Sequence, residues 1–482
     1  MSHTDTLSID PIRLRWVTWL VTGALFMEIL DGAIIGPALP AMARAFEVPP
    51  LELNIGISAY LLAVGIFIPA SGWIADRYGT RQVFLSALAL FTVSSALCGA
   101  VHSLPAFVAV RIVQGFSGAL MVPVGRLVIL RHMPQDKLMA AMSALVWPAL
   151  VAPVLGPPLG GFIAQHIGWH WIFFMNVPLG IGALVAAWRL VPDVRGEQRT
   201  PFDWRGFALC GAGTFALLSG FERMATAFDM TNASLTILGA ALLFAAYRHF
   251  GRASAPMLSL TALRIPTFRI TILGGTLARM AIGAAPFLLV LMFQLGFGRD
   301  ATTAGLLVLA LFAGNLLMKA VTTQVLRTFG YRRVLLGNGV LCAASLVGCA
   351  TLAVDTPLWL TIPILVFAGM TRSMQFTALG TIGFADIPKH DMAHANGLSN
   401  TIGQLGMAAG ITVAALSVRV AHSVTGGAAA HDYRMALLVL AAMVLASLAG
   451  IARLPRDAGD HFIDRCAAAD SSPTLSQTAK PP

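Results

Sequence analysis

Charge is what this chain has least of. Only 11% of its 482 residues are Asp, Glu, Lys or Arg, against roughly 25% in an average soluble domain. With 57% hydrophobic residues and a mean hydropathy of +0.77, the chain is too apolar to be hidden in one aqueous core. Cysteine is sparse as well. Cys98, Cys210, Cys342, Cys349 and Cys466 stand apart, with no Cys-x-x-Cys pair and no Cys/His cluster, which argues against a disulfide framework or a metal site. The histidines lie mostly in loops and show no ligand spacing. No Gly-x-x-x-x-Gly-Lys-Ser/Thr loop is present, so ATP is not the energy source. A soluble catalytic domain and a nucleophile–base set are also missing, so no enzyme and no cofactor are expected. What remains is an all-α polytopic membrane protein.

The net charge of +10 would suggest nucleic acid in a soluble protein; here it reads as loops held on the cytoplasmic side. Apolar stretches long enough to span a bilayer fall at 16–38, 53–73, 82–101, 105–128, 139–162, 170–190, 205–222, 232–249, 268–292, 301–324, 333–353, 358–379, 397–420 and 434–453. The seventh and eighth are short or interrupted. If loops alternate from a cytoplasmic N-terminus, 22 of the 32 Lys and Arg fall inside, 5 outside and 5 within spans. That bias predicts fourteen transmembrane helices with both termini cytoplasmic. Arg13 and Arg15 precede the first apolar stretch as in a signal peptide. That stretch is too long, carries Glu28 and Asp31 and lacks a small-residue cleavage site, so it is expected to stay as the first span. Residues 1–15 form a cytoplasmic N-terminus, and 455–482, rich in Ala, Asp, Ser and Pro, a disordered cytoplasmic tail.

An internal echo divides the chain. Arg77-Tyr78-Gly79-Thr80-Arg81, between spans two and three, matches Thr328-Phe329-Gly330-Tyr331-Arg332, between spans ten and eleven. Parallel repeats of this kind predict two six-helix bundles, 16–190 and 251–454, with helices seven and eight inserted across 191–250. Around the first turn, Gly72 allows a close helix approach and Gly79 a tight turn. Asp76, Arg77 and Arg81 offer an ion-pair network that would hold one state shut. The plainer alternative is a positive-inside turn with incidental charge.

Gly72-Trp-Ile-Ala-Asp76-Arg77-Tyr-Gly79-Thr-Arg81 resembles the signature loop of the major facilitator superfamily. Arg111-Ile-Val-Gln114-Gly115-Phe-Ser-Gly118 in span four is a further match, and Gly156-Pro157-Pro-Leu-Gly160-Gly161 in span five is similar to the superfamily's antiporter motif. The runs from Leu30-Asp31 to Pro40 and from Trp169 through Asn176 to Gly180 resemble the 14-span drug:H⁺ antiporter-2 branch. Within it the likeness, from about residue 15 to 455, is to MdtD- and HsrA-like exporters. The resemblance implies a major facilitator fold acting as a monomer in the cell inner membrane. Its implied activity is proton-coupled efflux of small molecules, either multidrug or organic-anion export. It also implies that span five seals the cavity from the periplasm in the inward-facing state. Independently, Pro148, Pro153, Pro157 and Pro158 kink span five while Gly156, Gly160 and Gly161 let backbones touch, which suits a flexing contact between bundles or a merely kinked packing helix.

Glu28 and Asp31 sit in the middle of the first span, three residues apart and therefore on one helical face. Ionisable groups there cost on the order of 3 kcal/mol each by insertion scales and are tolerated where they face a bundle interior or a wet cavity. Arg111 and Asp31 both lie roughly 10 Å in from the outer end of their spans, at 1.5 Å per residue, so they can pair. Asp31 is expected to carry the proton, with Glu28 as a second or relay carboxylate and Arg111 as the modulating charge; a structural salt bridge is the alternative. Arg126, Arg279, Lys319 and Arg372 fall inside spans and make the buried set net positive, which favours anionic or zwitterionic cargo. Arg126, Lys319 and Arg372 can instead snorkel to the surface. Gln294, Asn315, Gln375 and Gln404 are the candidate polar cavity contacts. Trp147, Phe287, Met292, Phe293, Met370, Met374 and Phe376 are either adaptable pocket lining or ordinary packing. Two other functions stay open: a facilitator or proton symporter importing an organic acid, and a membrane enzyme or sensor.

Overall fold

The computed structural model describes residues 11–132, 146–191, 201–226, 229–254, 256–388, 392–425 and 429–455. Helices make up the fold, and no strand occurs among the described residues. In the first half α1 (Pro11–Ile34) leads through a short 3-10 turn to α2 (Leu39–Phe46). Then follow α3 (Asn54–Tyr78), α4 (Thr80–Ala100), α5 (Leu104–His132), α6 (Val146–His166), the short α7 (Trp171–Phe174) and α8 (Asn176–Leu190). A hairpin of α9 (Trp204–Thr226) and α10 (Met230–Phe250) comes next. The second half holds α11 (Pro266–Leu291), α12 (Ala301–Phe329), α13 (Tyr331–Ala350), α14 (Leu358–Ile382), α15 (Met392–Thr425) and α16 (Ala429–Ile451). Apart from α2 and α7, the helices among the described residues number fourteen and are long, matching the fourteen apolar stretches. Of the expected cytoplasmic segments 1–15 and 455–482, residues 1–10 and 456–482 lie outside the described residues.

The internal repeat is visible in three dimensions. In the first half α3 packs on α5, α4 on α5 and α8, and α1 on α6. In the second, α12 packs on α14, α13 on α14 and α16, and α11 on α15. Both echoed turns rest on glycine with positive φ, +94° at Gly79 and +75° at Gly330, a conformation that costs other residues energy. Beyond each turn an arginine closes the half: Arg81 donates to the Trp188 carbonyl in the last turn of α8, and Arg332 to the Ala452 carbonyl just past α16 at 2.9 Å.

The helices alternate in direction, so α1 begins and α16 ends at the same end of the molecule, here the terminal end. The halves meet along two seams, α6 against α12 and α3 against α15. One apolar core runs across both halves at the far end, joining Ile34, Leu39 and Met42 to Leu288, Val290 and Met292. Toward the terminal end the first half keeps a separate core of its own, around Val21, Phe84 and Met121. Hydrogen bonds from Gln294 Nε2 to the Pro37 carbonyl (2.9 Å) and from Thr302 N to Gln165 Oε1 (3.2 Å) also cross at the far end.

The hairpin leans on one seam. Phe207 of α9 lies 5.2 Å from the Phe67 ring of α3, and Leu218 packs with Leu62 of α3 and Ala408 of α15. Asp203 ties the hairpin's base, accepting from Gly206 N at 2.8 Å, His249 Nε2 at 2.7 Å and Met257 N at 3.1 Å. Burial opposes the charge on Asp203, but these donors outweigh it and hold the carboxyl below its ordinary value.

Candidate functional site

The membrane-depth acids of α1 have different surroundings. Asp31 is 1% exposed and accepts three hydrogen bonds. Oδ2 takes Arg111 Nη1 at 2.7 Å; Oδ1 takes Gln114 Nε2 at 3.1 Å and Asn176 Nδ2 at 2.9 Å. Arg111 is fully buried, reaches Gln114 Oε1 at 2.6 Å and lies 4.2 Å over the Tyr60 ring. Asn176 continues the network to Ser95 Oγ at 3.0 Å. Asp31, expected to carry the proton or else to form a structural salt bridge, has its carboxylate fastened between α5 and α8 inside the first half and does not line the cavity between the halves. A buried charge in so apolar a place is tolerable only with such partners. Gly115 belongs to the same packing, for a Cβ there would strike the Tyr60 carbonyl.

Glu28, by contrast, lines a cavity of about 310 Å³ between the halves. Tyr60 and Arg111 join it from the first half, and Phe312, Arg372 and Gln404 from the second, while Ile35, Phe287, Val290 and Met407 supply apolar wall. Glu28 Oε2 is buried without a hydrogen-bond partner. Arg372 donates from Nε to the Ile282 carbonyl (3.0 Å) and lies 5.3 Å over Phe312, but its Nη1 is buried and unpartnered. No carboxylate among the described residues pairs with it. Gln404 Oε1 is likewise buried and unpartnered. A cavity with a free carboxylate oxygen on one wall and a free guanidinium nitrogen on the other is chemically unfinished.

Arg279 lies on α11 one turn toward the terminal end from the cavity residue Gly283, 5.9 Å over the Phe376 ring, with Nε unpartnered. Lys319 donates to Thr377 Oγ1 at 2.6 Å, two turns beyond Phe312 on α12. Arg126 is exposed and near enough to Glu28 to interact with its charge. These cations flank the approach rather than the cavity itself. Three amides are corrected. Gln375 is buried between α13 and α14, accepting from Asn338 (2.9 Å) and donating to the Leu335 carbonyl (3.2 Å). Asn315 sits where α12 touches Gly369 of α14, away from the cavity wall. Gln294 belongs to the far-end contact. In an apolar helix a buried amide seeks a polar partner, and for Gln375 and Gln294 the Leu335 and Pro37 carbonyls accept from it.

Of the aromatic and methionine set, Phe287 lines the cavity, whereas Met292, Phe293 and Met374 are buried in the apolar core that runs across both halves. The Trp147 side chain lies outside the described residues. Sequence reasoning missed Tyr60, Phe312 and Asn176. Tyr60 had a signal, being one of five tyrosines and set in mid-span.

The antiporter motif forms the far-end contact. A Cβ at Gly161 would collide with the Ala301 carbonyl of α12, one at Gly160 with the Ile34 carbonyl, and one at Gly305 with the Pro157 carbonyl. Gly156 abuts Ala33. Asp300 caps α12 through Thr303 Oγ1 (2.6 Å) and Thr303 N (2.9 Å), bonds that keep its carboxyl below the usual range. At the terminal end the expected close approach at Gly72 is not made: it is exposed, with nothing within 4 Å of a Cβ. Arg77 is exposed, Asp76 is half-buried, and Arg81 turns to Trp188.

Comparisons with known proteins agree with this architecture. The profile of the Major Facilitator Superfamily matches residues 21–411. A protein of Serratia proteamaculans (strain 568), provisionally named multidrug resistance protein MdtD, is 35% identical over 451 residues, covering 92% of this chain and 94% of its own. Among solved structures, an auto-inhibited peptide transporter of the POT family superposes with a TM-score of 0.67 at 17% identity, covering 92% of this chain and 98% of that one. The human organic anion transporter MFSD10 gives 0.61 at 16% identity, covering 92% and 100%. These two likenesses concern the fold. On the profile match and the near full-length relative, this chain belongs to the Major Facilitator Superfamily.

Proposed function

We propose that the protein exports a small molecule bearing an acidic group across the cell inner membrane in exchange for protons, with both termini in the cytoplasm. One observation carries the reading: Glu28 and Arg372, each with a buried unpartnered polar atom, border the same cavity from opposite halves. Arg372 takes the acidic group of the cargo through charge-assisted hydrogen bonds. Glu28 takes either a proton or the cargo's cationic end, never both. That exclusion is the requirement of exchange: cargo loads from the terminal side onto deprotonated Glu28, and a proton entering from the far side displaces it. Asp31 and Arg111 form the fixed platform behind this pair. Arg126, Arg279 and Lys319 raise the local concentration of anions at the mouth. The proton gradient supplies the energy, so no cofactor is needed, and one chain suffices to enclose the cavity. The multidrug resistance name of the relative supports efflux.

A cargo that is purely anionic reverses the coupling. It binds Arg372 best when Glu28 is protonated, so cargo and proton travel together and the same fold imports an organic acid. Everted vesicles separate the two. An acid-inside gradient should drive accumulation of zwitterionic acids over cationic dyes, and Glu28→Gln should abolish it. Accumulation of simple anions only under the opposite gradient would establish the symport reading instead.

A further inference from the structure

A second hollow lies away from the central cavity, where the α9–α10 hairpin meets α11 and α15. It measures about 840 Å³. Its floor is apolar, formed by Leu243 of α10, Leu273 of α11, and Leu398 and Leu405 of α15. Its rim is basic: Arg248 near the end of α10, Arg252 and Arg264 in the connecting segment, and Arg269 at the start of α11. All four arginines are exposed, and no Asp or Glu lines the hollow. None of the four makes an ion pair or side-chain hydrogen bond among the described residues; Arg248 rests only on the Phe244 ring, 6.0 Å away. Because α10 ends, and α11 and α15 begin, at the terminal end, the basic rim sits at one membrane face. The leucine floor runs inward from it. Leu273 is 63% exposed, so the flank opens sideways, toward lipid.

One buried polar group completes the site. Thr401 of α15 is 1% exposed and lines the hollow, yet its Oγ1 has no partner. Helical threonines usually bond the carbonyl four residues back, as Thr214, Thr271 and Thr412 do here. Thr401 leaves its hydroxyl free for something in the hollow.

We infer that this hollow holds one anionic phospholipid. Its phosphate lies among the arginines, its acyl chains along the leucine floor, and Thr401 Oγ1 donates to a glycerol-ester carbonyl. A free phosphate has no use for an apolar floor, and a zwitterionic lipid finds no acid for its amine. Basic pockets between membrane helices recognise acidic headgroups on these grounds. The lipid fills the gap between the hairpin and the second half, fastening the inserted helices to α11 and α15.

The test uses the full-length protein in mild detergent, titrated with phosphatidylglycerol, phosphatidylcholine or inorganic phosphate, with bound lipid counted by native mass spectrometry. Phosphatidylglycerol should be retained over phosphatidylcholine and resist inorganic phosphate. Arg264→Gln/Arg269→Gln should lower its affinity about 25-fold, at about fivefold per arginine near a charged membrane surface. Arg15→Gln/Arg333→Gln removes the same charge from exposed sites elsewhere at the terminal end and should leave affinity nearly unchanged. Thr401→Val should weaken retention without lowering the melting temperature. Should the double variant misfold, Arg248→Gln alone should show about a fivefold loss. Equal losses in the two double variants, equal retention of phosphatidylcholine, or displacement by inorganic phosphate would each overturn the assignment.

Discussion

Glu28 and Asp31, three residues apart on α1, divide between them the two uses of a buried carboxylate. Asp31 accepts three hydrogen bonds from α5 and α8, while Glu28 leaves one oxygen unpartnered at the edge of the cavity. One acid is tied into the helix packing, and the other faces the cavity with an oxygen to spare.

Their substitutions should therefore separate. Asp31→Asn strands the buried Arg111 charge and should cost about 3–5 kcal/mol. It should show as a large fall in melting temperature in detergent. Glu28→Gln should melt almost as the parent does while losing transport driven by a pH gradient. If Asp31→Asn melted normally and was the uncoupled variant, the two roles would have to be exchanged.

Arg372→Gln should weaken binding of an acidic cargo by about tenfold or more, since a hydrogen bond to a charged group contributes about 1.5–3 kcal/mol. Affinity for the methyl ester of the same compound should change little. Equilibrium binding to the purified protein, comparing acid and ester, reads this directly. A loss shared equally by both ligands would point to damaged packing instead.

Gly161→Leu and Gly305→Leu each drive a side chain into a backbone carbonyl across the α6–α12 seam. Overpacking of this kind costs about 1–3 kcal/mol. Here it acts only on the arrangement closed at the far end. Ile35→Cys, at the cavity wall, should then react with a thiol reagent added from the far side, and faster than in the parent background. Cys98, Cys210, Cys342 and Cys349 are buried and give little background.

Asp203 gives the hairpin base an acid limit. Its carboxyl titrates lower in the folded protein than in the unfolded chain. Its contribution is therefore full at neutral pH, starts to fade as the pH drops through the unfolded value near about 3.9, and is gone below the folded value. Asp203→Ala leaves the Gly206 and Met257 amides unpaired and should cost about 1–3 kcal/mol at pH 7. Melting curves of the parent and variant should converge as the pH falls below the lowered folded value.

The helix count and the repeat were legible because each rests on a local rule. A span needs about twenty apolar residues, and the two turns need glycine at positive φ, as at Gly79 and Gly330. The Arg111–Asp31 pair was legible from depth alone. Which acid faced the cavity was not. At 3.6 residues per turn, positions 28 and 31 are about 60° apart around α1, enough to turn one toward α5 and the other toward the cavity. Gln375 and Gln294 were misplaced for a related reason: the carbonyls they donate to, those of Leu335 and Pro37, belong to other parts of the chain. No spacing within one helix reveals such a partner.

The hairpin makes a nearly twofold molecule one-sided. Because α9 lies across α3 and α15, it roofs that seam on its lipid side and leaves the α6–α12 seam bare of both inserted helices. The two seams therefore meet the bilayer on unequal terms, one behind an extra layer of helix and the other through the proline-rich helix itself.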